Sequence, residues 1–230
     1  MSFNSPMSTE PAASAVSADT DRTSNAVAIL DAYWDHVLTE GESPPSVYKF
    51  CKDAGIDEKT FFEHFASFET VESRTWERLV TRTTATLDSD PEYGAYSTQQ
   101  KLLAFYFTIL EVALGQRSRL LKAFPDFRVG ATPPSLKKFR DAFTGWAEGV
   151  VKDGVEADEL ADRKQLSDRY PDLLFAQLWF LLDYNLKDES EKFQDTDALV
   201  EKSVRTFVDA ARSQVFDSGF DLLKFLAGRR

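Results

Sequence analysis

One cysteine and two histidines in 230 residues leave little material for several kinds of chemistry. Cys51 alone can close no internal disulfide and build no thiolate metal cluster, a usage that suits a reducing compartment. His36 and His64 stand far apart, without carboxylates at ligand spacing, so neither a metal site nor a cofactor is expected. No phosphate-cradling glycine loop, nucleophile elbow or catalytic triad pattern is visible, which points away from an enzyme. Long apolar runs are lacking too. The densest, Leu173–Leu182, is about half the length that crosses a bilayer and carries Gln177. Basic charge is scarce: 27 Lys and Arg face 38 Asp and Glu, a formal net charge of −11 that argues against a general binder of polyanions. Residues 1–24 have neither an apolar core nor a positive start. Rich in Ser, Ala, Thr and Pro, they read as a disordered tail rather than a signal peptide, and the cytoplasm is the expected location.

What is abundant is apolar and aromatic surface, with 43% apolar residues and nineteen phenylalanines. Its spacing is helical. In "SNAVAILDAYWDHVLTEG", Val27, Leu30, Trp34, Val37 and Leu38 recur on one helix face until Gly41 stops it. Ser46 is placed to cap a second helix whose buried face holds Val47, Phe50, Cys51 and Ala54. Gly55 supplies a turn, and Asp57 can cap a short third helix with Phe61, Phe62 and Phe65. A fourth helix is expected from about Glu69 to Leu87. Beyond "DSDPEYGAYS" come a helix apolar nearly all round in "TQQKLLAFYFTILEVALG", one in "SLKKFRDAFTGWAEGVVKDG", one after Pro171, and a long one from about Thr196 to Phe216. No period-two strand pattern and no internal repeat appears. The expected fold is all-α: a three- or four-helix head on a larger helical bundle, with a tail at 1–24, the head at 25–68 and the bundle at 69–230.

Helix, tight turn and helix form a helix-turn-helix unit, whose second helix reads the major groove of DNA. The stretch "SVYKFCKDAGIDEKTFFEHFASFETV" resembles the TetR family of bacterial repressors over about thirty residues. Ser46, Val47, Phe50-Cys51 and Ala54-Gly55-Ile56 occupy the places of the family's Thr or Ser cap, its Val, its Ile-Ala pair and its Ala-Gly-Val turn. Phe62, His64 and Phe65 fill its Tyr-x-His-Phe ending, and Glu69 with Val71 suits its fourth helix. The resemblance implies DNA contacts from Ser46, Lys49, Lys59, Thr60, Phe62 and His64. This sequence departs from the pattern where phosphate is usually met. Phe62 replaces a tyrosine, Phe68 a lysine, and Glu58 and Glu63 stand at positions often basic. From Ser24 to Ser67 there are three lysines (49, 52, 59), no arginine and eight acids (31, 35, 40, 42, 53, 57, 58, 63), a net charge of −5. Duplex DNA is therefore a doubtful partner for this head.

The family likeness also implies a homodimer and an apolar small-molecule or lipid ligand in the bundle. Phe105, Tyr106, Ile109, Trp146, Phe175 and Trp179 are the candidate ligand residues, against the plainer reading of an ordinary core. Dimer contacts are expected from Leu173–Leu186 and from the helix at 196–216. The glycines of "GWAEG", Gly145 and Gly149, are expected to allow one close helix contact. "VFDSGFDLLKFLAGRR" sets Phe216, Phe220, Leu223 and Leu226 in a stripe beside Lys224, Arg229 and Arg230, which suits packing or peripheral membrane contact. A TetR-fold lipid-binding protein of ubiquinone biosynthesis offers a precedent for that combination. Three functions follow: a ligand-responsive regulator, a TetR-fold accessory that binds lipid or a protein partner and has lost operator binding, or a structural interaction module.

Overall fold

The computed structural model describes the backbone of residues 12–125, 132–162 and 167–213. Phe216, Phe220, Leu223 and Leu226 lie outside the described residues, as does the end of the long helix expected to reach Phe216. The described residues are helical, with no strand among them. They fall into two compact units, Met1–Glu72 and Ser73–Arg230.

The first unit contains α1 (Ala12–Glu40), α2 (Val47–Ala54), α3 (Glu58–His64) and the start of α4 (Phe68–Asp88). Helix α1 begins inside the stretch expected to be a disordered tail. Ala12, Ala13, Ala15 and Ala18 favour helix strongly, and no Pro or Gly interrupts the chain until Gly41. There the backbone turns to φ 83°, which glycine reaches without strain. The Ser46 side chain accepts the Lys49 N–H at the start of α2, and Asp57 accepts that of Thr60 at the start of α3. Gly55, at φ 66°, closes α2 in the left-handed conformation. The core of this unit holds Leu30, Tyr33, Trp34, Val37, Phe50, Cys51, Phe61 and Phe65. Leu38, expected on the inward face of α1, is exposed, while Ile29 and Tyr33 are buried in its stead.

The second unit takes the rest of α4, then α5 (Thr98–Leu114), α6 (Arg117–Ala123), α7 (Lys137–Glu156), α8 (Tyr170–Lys187) and α9 (Gln194–Arg212). Helix α5 opens with a reciprocal capping box between Ser97 and Gln100 and buries Leu102, Phe105, Tyr106, Ile109 and Ala113. The chain bends at Gly115, and α6 follows as a separate short helix. Gly145 and Gly149 do not make the expected close helix contact: they lie on the exposed face of α7, and a Cβ on either would meet nothing. The close approach is at Gly154, on the face shared with Phe139, Phe143 and Ala147, where a Cβ would collide with Thr98 Oγ1. Helix α9 has an unusual start. Phe193, at its N-cap position, is left-handed and caps nothing, so Asp188 at the end of α8 takes over. Its carboxylate accepts the Thr196 N–H at 2.9 Å, the Thr196 hydroxyl at 2.5 Å and the Ser190 N–H at 2.8 Å. These bonds lower the Asp188 pKa to about 2. Among the described residues no helix is long and apolar enough to cross a membrane.

Candidate functional site

The six residues expected to face DNA lie on two adjacent short helices of the first unit. Ser46 is spent on the cap of α2. Lys49 Nζ lies 2.6 Å from Asp53 Oδ2, and this bond is the main reason that the Asp53 carboxyl falls below its ordinary pKa. Lys59 Nζ lies 3.9 Å from Glu63 Oε1 along α3. Thr60, half-buried, gives its N–H to Asp57. Phe62 projects into solvent at 52% exposure, as does Tyr48 on α2 at 64%. His64 is half-buried at the end of α3, its ring 6.4 Å from that of Phe65. Two of the three lysines of this segment are therefore paired with acids on their own helices.

Phe68, standing where a phosphate-touching lysine is usual, is committed elsewhere. Its ring stacks on Tyr33 with centroids 5.2 Å apart and meets the edges of Phe50 at 5.6 Å and Phe61 at 5.8 Å. Aromatic packing thus occupies the position, and a lysine there would leave a gap in the core. The Tyr33 hydroxyl donates to Glu72 Oε1 at 2.5 Å and meets Ser43 Oγ at 3.1 Å. Burial, then the Glu72 bond, push the Tyr33 pKa well above its ordinary value, so the phenol stays a donor at all working pH. Tyr33 was not expected on the inward face of α1, although it stands three residues after Leu30 and four before Val37, at helical spacing.

The six candidate ligand residues do come together in the second unit. Trp146 on α7 stacks on Phe105 of α5 at 3.8 Å and gives its indole N–H to the Tyr93 hydroxyl at 3.1 Å. Phe143, 5.4 Å from Phe105 and 5.9 Å from Phe175, continues the series. Phe139 links Phe175 to Trp179 at 5.6 and 6.4 Å, and Phe124 stacks on Trp179 at 4.4 Å. Ile109 is fully buried among them. Tyr106 donates to the Leu174 carbonyl at 3.1 Å, with Gln177 Oε1 at 3.3 Å, and Gln177 in turn donates to Ser203 on α9. The rings pack on one another, as in a filled core. Phe124, Phe139 and Phe143 were missed as members, although the last two share the α7 stripe of Trp146's neighbours.

An open hollow of about 710 Å³ lies away from these rings, between the C-terminal half of α4 and the α5–α6 corner. Arg82, Thr86, Glu111, Val112, Gln116 and Arg119 are among the residues that line it. The reading of the sequence did not single it out. Its signal was a polar stripe, Arg82, Thr86 and Ser89, at helical spacing on one side of α4.

A family model described as the tetracyclin repressor-like C-terminal domain matches residues 101–226, more than half of the chain. The chain belongs to the TetR family. Solved structures agree on the fold. A candidate TetR-family transcription regulator from Shewanella sp. PV-4 is 18% identical, with a TM-score of 0.57, covering 81% of this chain and 97% of its own. A TetR-family transcription regulator from Marinobacter aquaeolei VT8 is 17% identical, with a TM-score of 0.51 over 84% and 97% of the two chains. A protein of unknown function from Rhodococcus sp. RHA1 is 16% identical, with a TM-score of 0.56 over 82% and 96%. No curated protein matches the sequence. This TetR-family chain thus couples a familiar architecture to a head whose cations are largely neutralised.

Proposed function

We propose that this protein is a TetR-family transcriptional regulator that works as a homodimer and answers an apolar small molecule. The observation that carries this reading is the head, where Ser46 and Asp57 cap two short helices joined at left-handed Gly55. That is a helix-turn-helix arrangement, and α3 offers Lys59, Phe62 and Glu63 on its outer side. Support for the dimer comes from α8, which exposes Leu173, Phe180 and Tyr184 along one stripe. Helix α9 turns Val200, Val204 and Val208 inward, so the α8 stripe is the stronger candidate surface. A ligand entering among Phe105, Trp146, Phe175 and Trp179 must part stacked rings, and its entry would read out in tryptophan fluorescence. Anisotropy of random duplex DNA tests the regulatory reading: binding with Kd of roughly 1–100 μM that weakens with salt is expected.

A second reading, an accessory protein that keeps the fold and has given up operator binding, is favoured by the Lys49–Asp53 and Lys59–Glu63 pairs. Failure to bind any duplex at low salt, by a folded dimer, would select it. Light scattering that finds a monomer at micromolar concentration would remove the dimer from both readings.

A further inference from the structure

The hollow between α4, α5 and α6 holds an uncommitted guanidinium. Among the described residues Arg74, Arg140, Arg169 and Arg205 pair with carboxylates, and Arg117 and Arg212 donate to backbone carbonyls. Arg78 and Arg119 also have partners. The Arg82 guanidinium has no hydrogen bond, ion pair or ring contact with any described residue. In a chain of net charge −11, a guanidinium left unpaired beside so many acids, and set in a concave wall, calls for an explanation.

The remaining wall defines what would fit. Thr86 and Ser89 donate their hydroxyl protons to the carbonyls of Arg82 and Thr86, so they offer a ligand acceptor oxygens only. The Gln116 side-chain amide is uncommitted, and Arg119 adds a second guanidinium. Ala85, Val112 and Gly115 give apolar or open wall between the polar groups. Glu111 is the one acid of the lining, so two arginines against it leave a surplus of a single positive charge. That surplus matches a monoanion better than a phosphate dianion. A guanidinium fork takes a carboxylate through two parallel hydrogen bonds. A hollow of about 710 Å³ is in the range of small-molecule sites.

We propose that this groove binds an amphiphilic monocarboxylate, with Arg82 holding the carboxylate, Gln116 and Arg119 assisting, and the alkyl body lying along Ala85, Val112 and Gly115. The site is separate from the aromatic cluster of α5, α7 and α8 and needs no ring to move. It also stands independently of whether the head binds DNA.

The test is calorimetric titration of the full chain with decanoate, decanol and inorganic phosphate, backed by melting curves. Decanoate should bind and raise the melting temperature by mass action, while decanol and phosphate bind at least tenfold more weakly. Arg82→Gln should cut decanoate affinity tenfold or more and leave the ligand-free melting temperature unchanged, because the guanidinium pairs with nothing there and the backbone bond to Thr86 is kept. Gly115→Leu should weaken binding as well. Its Cβ finds ordinary contacts, with Val112 O at 3.5 Å, so the variant folds while its side chain obstructs the floor. Equal affinity for decanol, unchanged binding in Arg82→Gln, or no decanoate binding at millimolar concentration overturns the proposal. Binding that survives Arg82→Gln and perturbs tryptophan fluorescence would place the ligand in the aromatic cluster, sinking the groove but sparing the ligand-responsive reading.

Discussion

Releasing the two paired lysines of the head gives a direct measure of how far its own acids suppress DNA binding. The double substitution Asp53→Asn, Glu63→Gln keeps both side-chain shapes and takes the carboxylates from Lys49 at 2.6 Å and Lys59 at 3.9 Å. Both acids lie towards the C-terminal ends of their short helices, where negative charge opposes the helix dipole, and both pairs are largely exposed. The fold should therefore survive. The charge of residues 24–67 moves from −5 to −3, and two cations become available to phosphates. Each added phosphate contact steepens the slope of log K against log salt by about 0.9, so two add about 1.8. Between 50 and 200 mM salt, that slope alone multiplies the loss of affinity by about twelvefold relative to the parent. Fluorescence anisotropy of a random duplex across that salt range reads the effect. The control is Glu40→Gln with Glu42→Gln, which changes net charge equally and frees no lysine. Equal slopes in the two doubles would refute the argument from pairing and leave only diffuse charge.

Three other outcomes follow from single sites. Gly154→Ala should destabilise the second unit by about 1–3 kcal/mol, because the new Cβ meets Thr98 Oγ1 and lies 3.1 Å from Leu160 Cγ; differential scanning calorimetry reads it, and an unchanged Tm counts against that close approach. Asp188, held near pKa 2 by its bonds to Thr196 and Ser190, has its folded-state pKa depressed. Its contribution is thus complete above the unfolded value of about 3.9 and lost as pH falls through 2. Asp188→Asn should lower stability at neutral pH and flatten the acid limb of the stability curve between pH 4 and 2. Cys51 should react slowly with a thiol reagent at neutral pH in folded protein and at once in urea, since burial, then Glu58 and Asp57, raise its pKa.

Much of this fold was legible because its signals are local. Capping residues, Gly41, Gly55 and the Phe50–Cys51 pair of α2 each act within a few positions, and a single chain displays them, whereas Ala54, expected on the same buried face, is exposed. Helix α6 was not seen as separate, since Gly115 interrupts a continuous helical composition without a proline. Tyr33 stands at helical spacing with Leu30 and Val37, but its partners Phe68 and Glu72 are distant in sequence. The same holds for the site residues. Ser46 and Lys49 could be placed on α2 from spacing alone, but that Lys49 is tied to Asp53 is a matter of side-chain geometry. Gly145 and Gly149 misled for a related reason. A glycine pair marks space on a helix and does not say which face is turned to a neighbour.

The four tryptophans are unevenly shared: Trp34 belongs to the first unit, and Trp76, Trp146 and Trp179 to the second. Trp34 is almost fully buried, so loss of order around it must change its emission. The chain therefore carries a separate natural lamp for each unit. With Trp34→Phe the head goes dark and three emitters follow the bundle. With the other three replaced by phenylalanine, the head alone reports. Urea titrations of the two forms would show whether one cooperative transition governs the molecule or the head loosens first. In the latter case the population of ordered heads becomes a quantity that temperature, salt or a bound molecule can set.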